Sequence, residues 1–193
     1  RLLEEDDPVA GALLEKAVFY IVPNMNPDGS FRGQLRNNAA GMNLNRAWAE
    51  PTMERSPEVF LVRERMMATG VDFCLDVHGD EGLPYNFIAG ANGIPRFGPR
   101  LAELQHGYVD ELIRRTPEFQ KEHGYPIDPP GQANLSMATN WIGQTFDCLS
   151  MTLEQPFKDA SNRPHSDGWT PKRARRLGQV QLDVLRSVID RLR

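Results

Sequence analysis

Two strand-end residues and one loop carry the side chains of this sequence best suited to chemistry. His78 follows the run Phe73-Cys74-Leu75-Asp76-Val77 and is released by Gly79. An imidazole at such a strand end can offer a ring nitrogen to a metal, and neutral imidazole is a good zinc ligand. A hydrogen-bonded structural histidine is the simpler reading of that residue alone. Glu154 closes a second apolar run, 148–153. A carboxylate there is costly to bury unpaired. It could serve as a general base near a metal-bound water, or it could be ion-paired to an arginine. The Asn-rich loop 23–48 carries Arg36, Asn45 and Arg46. A guanidinium fork matches two oxygens of a carboxylate or phosphate, and the Asn45 amide adds hydrogen bonds. Solvated loop arginines are the plain alternative.

Other patterns carry less. His78-Gly79-Asp80-Glu81 has the form His-x-x-Glu, but no second histidine lies near it. His106, His123 and His165 have no ligand spacing and read as surface residues. Asn26-Pro27-Asp28-Gly29 is turn chemistry first. The sequence has no G-x-S-x-G elbow and no G-x-x-x-x-G-K-[ST] loop, which weighs against a serine hydrolase or a P-loop enzyme.

The elements that must position these residues alternate between strands and helices. Residues 2–16 read as a helix, re-started at Asp7-Pro8, where proline suits a first helical position. Residues 17–22 form a short apolar, β-rich run ended by Pro23, the pattern of a buried strand. A loop as long as 23–48 inside a compact domain is usually functional. Ser56-Pro57-Glu58 starts a helix that runs to about Gly70. Residues 71–77 read as a strand, 85–89 as another, and 95–115 as a helix through Phe97, Leu101, Leu104, Val109 and Leu112. Residues 116–134 are loop, 137–144 a short helix or turn, and 148–153 a strand. The last helix, 171–193, lines Leu177, Val180, Leu185 and Val188 along one side, and its basic residues read as a solvated face. Together these predict an α/β fold with a mixed, largely parallel sheet sandwiched by helices. In such sheets ligands collect beyond the carboxyl ends of the strands, which picks out Asn24, Asn26, His78 and Glu154.

Composition sets the outer bounds. The 193 residues suffice for about one domain with a sizeable core. A quarter of them are charged, the ordinary globular share. The net charge of −4 has the wrong sign for a broad phosphate-binding surface, so no nucleic-acid partner is expected. No apolar run approaches the roughly 18–20 residues of a membrane helix, so no membrane partner is expected either. The two cysteines, Cys74 and Cys148, sit in apolar segments and read as reduced thiols of a cytoplasmic protein. The chain opens Arg-Leu-Leu-Glu-Glu-Asp-Asp, without initiator Met or signal peptide, and reads as the interior of a longer sequence.

Four segments, in order, resemble the zinc carboxypeptidases of the carboxypeptidase A type, in particular the cytosolic carboxypeptidase branch. They are Val22-Pro23-Asn24-Met25-Asn26-Pro27-Asp28-Gly29, Gly41-Met42-Asn43-Leu44-Asn45-Arg46-Ala47-Trp48, Leu75-Asp76-Val77-His78-Gly79 and Thr152-Leu153-Glu154-Gln155-Pro156. The resemblance implies zinc-dependent hydrolysis of a C-terminal peptide bond, by a metal-activated water with a glutamate general base. The substrate would be a peptide or protein C-terminus. Residue by residue, His78 matches a zinc ligand, Glu154 the general base, and Arg36 the arginine that polarises the scissile carbonyl. Asn45 and Arg46 match the pair that holds the substrate's terminal carboxylate. Tyr125 is the nearest tyrosine to the family's mobile tyrosine, whose register falls at Gln132. Thr139 falls near the base of the side-chain pocket. Residues 132–146 contain no Lys or Arg, so they do not supply the cation that acidic C-terminal residues would call for.

The family's first two zinc ligands lie in a His-x-x-Glu motif upstream of the strand at 17–22. No histidine precedes residue 17. Residues 1–193 are therefore expected to be a catalytic domain lacking its N-terminal part, with one zinc ion, two further ligands upstream of residue 1, and no activity on its own. Two other readings stay open. One is an amide hydrolase of the related aspartoacylase type. The other is a non-catalytic domain that binds C-termini without metal.

Overall fold

Period-two alternation along three strands separates an apolar face from a polar one, and the site is built on the polar face. A computed structural model describes residues 1–192. Its sheet comprises β1 (Phe73–Asp80), β2 (Phe87–Gly90) and β3 (Leu149–Pro156), in the order β1-β3-β2. β1 runs parallel to β3 and β2 antiparallel to it, which makes the sheet mixed. The register sets Asp76 beside Thr152 and His78 beside Glu154, with Phe87 flanking Glu154 from the other side. Side chains two apart share a face. Phe73, Leu75, Leu149, Met151 and Leu153 therefore point one way and join the main core. Asp76, His78, Thr152 and Glu154 share the other face.

Helices close both layers. On the apolar side lie α1 (Pro8–Leu14), α4 (Pro99–Arg115) and α6 (Pro171–Val188), which bury Leu13, Leu101, Leu104, Tyr108, Leu112, Leu177, Val184 and Val188 against the sheet. Each fully buried large side chain is worth about 1.5–3 kcal/mol, so this layer dominates stability. Tyr108 is fully buried, and its hydroxyl donates to Gln181 Oε1 at 2.8 Å instead of being orphaned. On the other side, α3 (Pro57–Thr69) and α5 (Ala138–Phe146) contribute Val59, Ala138 and Ile142 to a second cluster with Leu44, Trp48 and Cys148. Neither cysteine forms a disulfide among the described residues.

Several sequence expectations change. Residues 17–22 belong to no helix or ladder, and Val18 is 79% exposed. An apolar β-rich run becomes a buried strand only with a neighbour to pair with, and among the described residues none pairs with it. The loop 23–48 is shorter than expected, because Asn26-Pro27-Asp28-Gly29 starts a helix and not an isolated turn. α2 (Pro27–Arg32) has Asn26 Oδ1 accepting from Gly29 N at 3.0 Å and Gly33 at φ 71° closing it. A further 3-10 turn covers Leu44–Arg46. The first helix is confined to α1, capped by Asp7. The last ends at Val188 and continues as a 3-10 turn. Both site strands run on past the expected ends, so His78 and Glu154 lie inside the ladder.

One residue of α6 departs from the solvated face. Arg173 is 8% exposed and pairs with Glu118 at 2.6 Å and Asp159 at 2.8 Å. It also donates to the carbonyls of Gly168 and Arg163, so it ties the chain around 118 and 159–168 to the core. Arg173→Ala leaves Asp159 without a cation among the described residues and leaves Glu118 only the longer pair with Arg163 at 3.7 Å. Breaking such a pair costs about 3 kcal/mol, and urea denaturation of the full-length variant should show a loss of that order. A loss under about 1 kcal/mol would mean that the cluster is solvated in solution.

Candidate active site

The site forms where β1 and β3 end together. Gly79 is needed there, because a Cβ on it would lie 2.5 Å from the Phe157 ring. His78, one residue earlier, has its ring between two carboxylates. Its Nε2 meets Asp76 Oδ2 at 2.8 Å and its Nδ1 lies 3.4 Å from Glu154 Oε1. Burial works against protonation of the imidazole, but these two carboxylates outweigh it and raise its pKa to about 10. With Nε2 held by Asp76, Nδ1 is the nitrogen turned toward Glu154.

Glu154 is 5% exposed, and its Oε2 is buried with no hydrogen-bond partner. No arginine pairs with it among the described residues. Arg36 instead forms an exposed ion pair with Glu81. A buried carboxylate oxygen without a donor is uncommon. It marks a place where a donor, such as water, is to be received.

Tyr125 comes in from the loop that follows α4. Its hydroxyl donates to Asp80 Oδ2 and lies 3.4 Å from Glu154 Oε1. Its ring meets Phe87 edge-on, with centroids 4.9 Å apart. Burial and the neighbouring Asp80 carboxylate push the phenol pKa up, so the hydroxyl stays protonated. Burial opposes ionisation of Asp80, but Tyr125 and the backbone N–H groups of Leu83 and Gly82 hold its pKa below the ordinary value.

Thr139 and Asn45 join the site from the α5 side. Thr139 Oγ1 lies 2.6 Å from Thr152 Oγ1, one pleat before Glu154. The adjacent Ala138 N donates to Asn45 Oδ1 at 2.8 Å, which fixes the 44–46 turn against the start of α5. Arg46 is exposed, and its Nη1 donates to the Asn45 carbonyl at 2.7 Å.

The structure thus brings His78, Glu154 and Tyr125 into direct contact, and links Thr139 and Asn45 to them through β3 and α5. Arg36 and Arg46 touch none of these side chains except through Glu81 and the Asn45 carbonyl. Asp76, Asp80 and Glu81 are neighbours that the residue types alone do not single out. The signal was the i, i+2 spacing of Asp76, His78 and Asp80 along one strand, which places all three on one face. Glu81 pairs with Arg36. His106, His123 and His165 are exposed, and His123 stacks on Tyr85 at 4.2 Å. Among the described residues, no group of three or more His, Cys, Asp or Glu side chains is disposed to hold a metal ion. His78 could supply one ligand. Among the same residues no helix is long and apolar enough to cross a membrane.

Comparison with known proteins identifies relatives of this fold. A metallo-carboxypeptidase from Pseudomonas aeruginosa, solved in complex with (2-guanidinoethylmercapto)succinic acid, is 53% identical, with a TM-score of 0.96 over 98% of this chain and 51% of its own. A metallo-carboxypeptidase from Burkholderia cenocepacia is 45% identical, with a TM-score of 0.92 over 96% of this chain and 49% of its own. An uncharacterized protein of Zymomonas mobilis is 53% identical over all 193 residues, which are 51% of its length. Mouse (Mus musculus) cytosolic carboxypeptidase 6 is 31% identical over 94 residues, 46% of this chain and 17% of that protein. The chain spans about half the length of the first of these curated relatives. With the zinc carboxypeptidase profile matching residues 1–159, the chain belongs to the zinc carboxypeptidase family.

Proposed function

We propose that the protein containing this chain removes C-terminal residues from peptides or proteins by zinc-dependent hydrolysis, with residues 1–193 as the C-terminal part of its catalytic domain. The observation that carries this is Glu154. It is a buried carboxylate with one oxygen unpartnered, 3.4 Å from an imidazole nitrogen that no other group holds.

These residues fit a zinc site in part. His78 would hold the ion through Nδ1, and Asp76 on Nε2 fixes the tautomer and the ring plane, as outer carboxylates do for ligating histidines. A catalytic zinc takes three protein ligands; in this reading the other two are on polypeptide outside these 193 residues. When bound, zinc supplies a Lewis acid and lowers the pKa of an adjacent water to about 7. Glu154 accepts the proton of the attacking water at Oε2 and returns it to the leaving amine. Arg36, freed from its exposed pair with Glu81, donates to the oxygen that gains charge at the scissile carbonyl. Asn45 and Arg46 hold the terminal carboxylate, and Tyr125 closes over it. The succinic acid compound bound by the Pseudomonas relative is a dicarboxylate, which suits such a clamp. Thr139 would give the base of the side-chain pocket a neutral hydroxyl, and residues 132–146 add no Lys or Arg, so this stretch supplies no cation for an acidic C-terminal residue. A cytoplasmic setting is part of this reading, in keeping with the cytosolic carboxypeptidases among its relatives.

The full-length protein should release the last residue of a peptide with a free C-terminus and cleave the C-terminally amidated peptide far more slowly. A chelator should stop the release and added zinc restore it. Equal cleavage of both peptides, or full activity in chelator after metal analysis shows none left, would sink this reading.

A further inference from the structure

We infer that Asp80 is a positioning residue that pins Tyr125, and with it the loop after α4, over Glu154. The role of Tyr125 rests on the proposed function; the link between Asp80 and Tyr125 rests on geometry alone.

Asp80 is 7% exposed at the last position of β1, two residues beyond His78. Its Oδ1 serves the local turn, accepting from Gly82 N at 2.6 Å and Leu83 N at 2.5 Å. The turn asks nothing of Oδ2. An asparagine would cap it equally well, since amide and carboxylate oxygens both accept from backbone N–H groups. What asks for the second carboxylate oxygen is the Tyr125 hydroxyl, 45 residues away in sequence. A hydrogen bond to an ionised acceptor is stronger than a neutral one.

The loop is anchored before Tyr125 by His123, which stacks on Tyr85 at 4.2 Å and exchanges hydrogen bonds with Gln120; from Tyr125 onward the side chain itself makes the attachment. Residues 121–132 lie outside any helix or strand and are exposed, and Tyr125 itself is 47% exposed. Its contacts are the edge of Phe87, the Asp80 carboxylate and a longer hydrogen bond to Glu154 Oε1. Asp80 is in register with Pro156, as His78 is with Glu154. The sheet that places the base therefore also places the anchor for the tyrosine. Glu154 Oε1, at 3.4 Å, is the other acceptor within reach. Asp80 draws the single hydroxyl proton toward the rim of the site, and Glu154 Oε2 keeps no donor among the described residues.

The test compares Asp80→Asn, Tyr125→Phe and the double variant in the full-length protein. Each single change should raise KM for a free C-terminal peptide by about five- to tenfold, the worth of one hydrogen bond, with kcat within about twofold. The double variant should show no further rise, because both changes remove the same link. Hydrogen–deuterium exchange of residues 121–132 should quicken in all three, with α4 and α6 unchanged. Two KM effects that multiply, or loop exchange equal to the wild type in both single variants, would overturn the inference. If Asp80→Asn fails to fold, Tyr125→Phe alone decides, because its loop must loosen. If the wild type is inactive on all peptides, the proposed function fails, while loop exchange still reads the link.

Discussion

Glu154→Gln in the full-length protein should lower kcat by at least about 10²–10⁴-fold, the usual range for loss of a general acid–base, with zinc content unchanged. The substitution keeps the volume of the side chain and its place in β3. It removes the one property the mechanism uses, an oxygen that can take a proton and give it back. In the structure that oxygen is Oε2, buried and without a donor. Oε1 faces His78 Nδ1 and the Tyr125 hydroxyl, each at 3.4 Å. A purely structural glutamate would be expected to have stronger partners, such as an arginine, and the nearby loop arginine is engaged by Glu81 instead. The two roles separate in measurement. A catalytic Glu154 gives a folded, zinc-loaded, inactive variant. A structural one gives a lower melting temperature and near-normal turnover. Measuring kcat, zinc content and melting temperature on one preparation decides between them.

The parts of the fold that were legible in the sequence are those whose signal is local. Alternation through Phe73, Leu75 and Val77 and the apolar run before Glu154 announced two strands. His78-Gly79 and Glu154-Gln155-Pro156 marked the expected strand ends; the ladder runs on to Asp80 and Pro156, and the two chemical side chains still share one end of the sheet. The helical spacing of Leu101, Leu104 and Leu112 marked a core face, and all three are buried. Tyr108, between them, is buried as completely, but a tyrosine's polar tip hides its position until its partner Gln181 is known.

What stayed hidden depends on partners distant in sequence. Residues 17–22 have strand composition, but a strand exists only with a neighbour, and composition does not supply one. The Asn26-Pro27 pair suits a turn and a helix start equally; the helix prevails because Asn26 also donates to the Asn37 carbonyl, eleven residues on. Asp76, Asp80 and Glu81 looked like ordinary charges beside a histidine. Their separate partners, His78, Tyr125 and Arg36, became visible only once β1, the loop after α4 and the Asn-rich loop were placed together. Arg173 was hidden in the same way, as one basic residue among several on α6.

Arg46→Ala in the full-length protein should weaken peptides with a free C-terminus and little else. The backbone around Arg46 is already fixed: Asn43 caps the 3-10 turn, and Asn45 Oδ1 binds the first N–H of α5 at 2.8 Å. The guanidinium is exposed, gives one bond to the Asn45 carbonyl at 2.7 Å, and has no carboxylate partner among the described residues. A pre-placed fork with unused donors is ready for two oxygens at once. Losing a charge-assisted contact of this kind costs about 2–5 kcal/mol when its partner stays desolvated. That corresponds to roughly 30- to 4,000-fold in affinity. Exposure of the guanidinium in the free protein screens the interaction and puts the effect toward the lower end. The loss should appear in KM, since the terminal carboxylate is bound alike before and during the chemical step. Arg46→Lys keeps the charge without the fork and should recover only part of it. Slow residual cleavage of a C-terminally amidated peptide by the wild type should be unchanged in Arg46→Ala. Equal losses on free and amidated peptides, or an unaltered KM for the free peptide, would assign the carboxylate to another residue and leave Arg46 a solvated loop arginine.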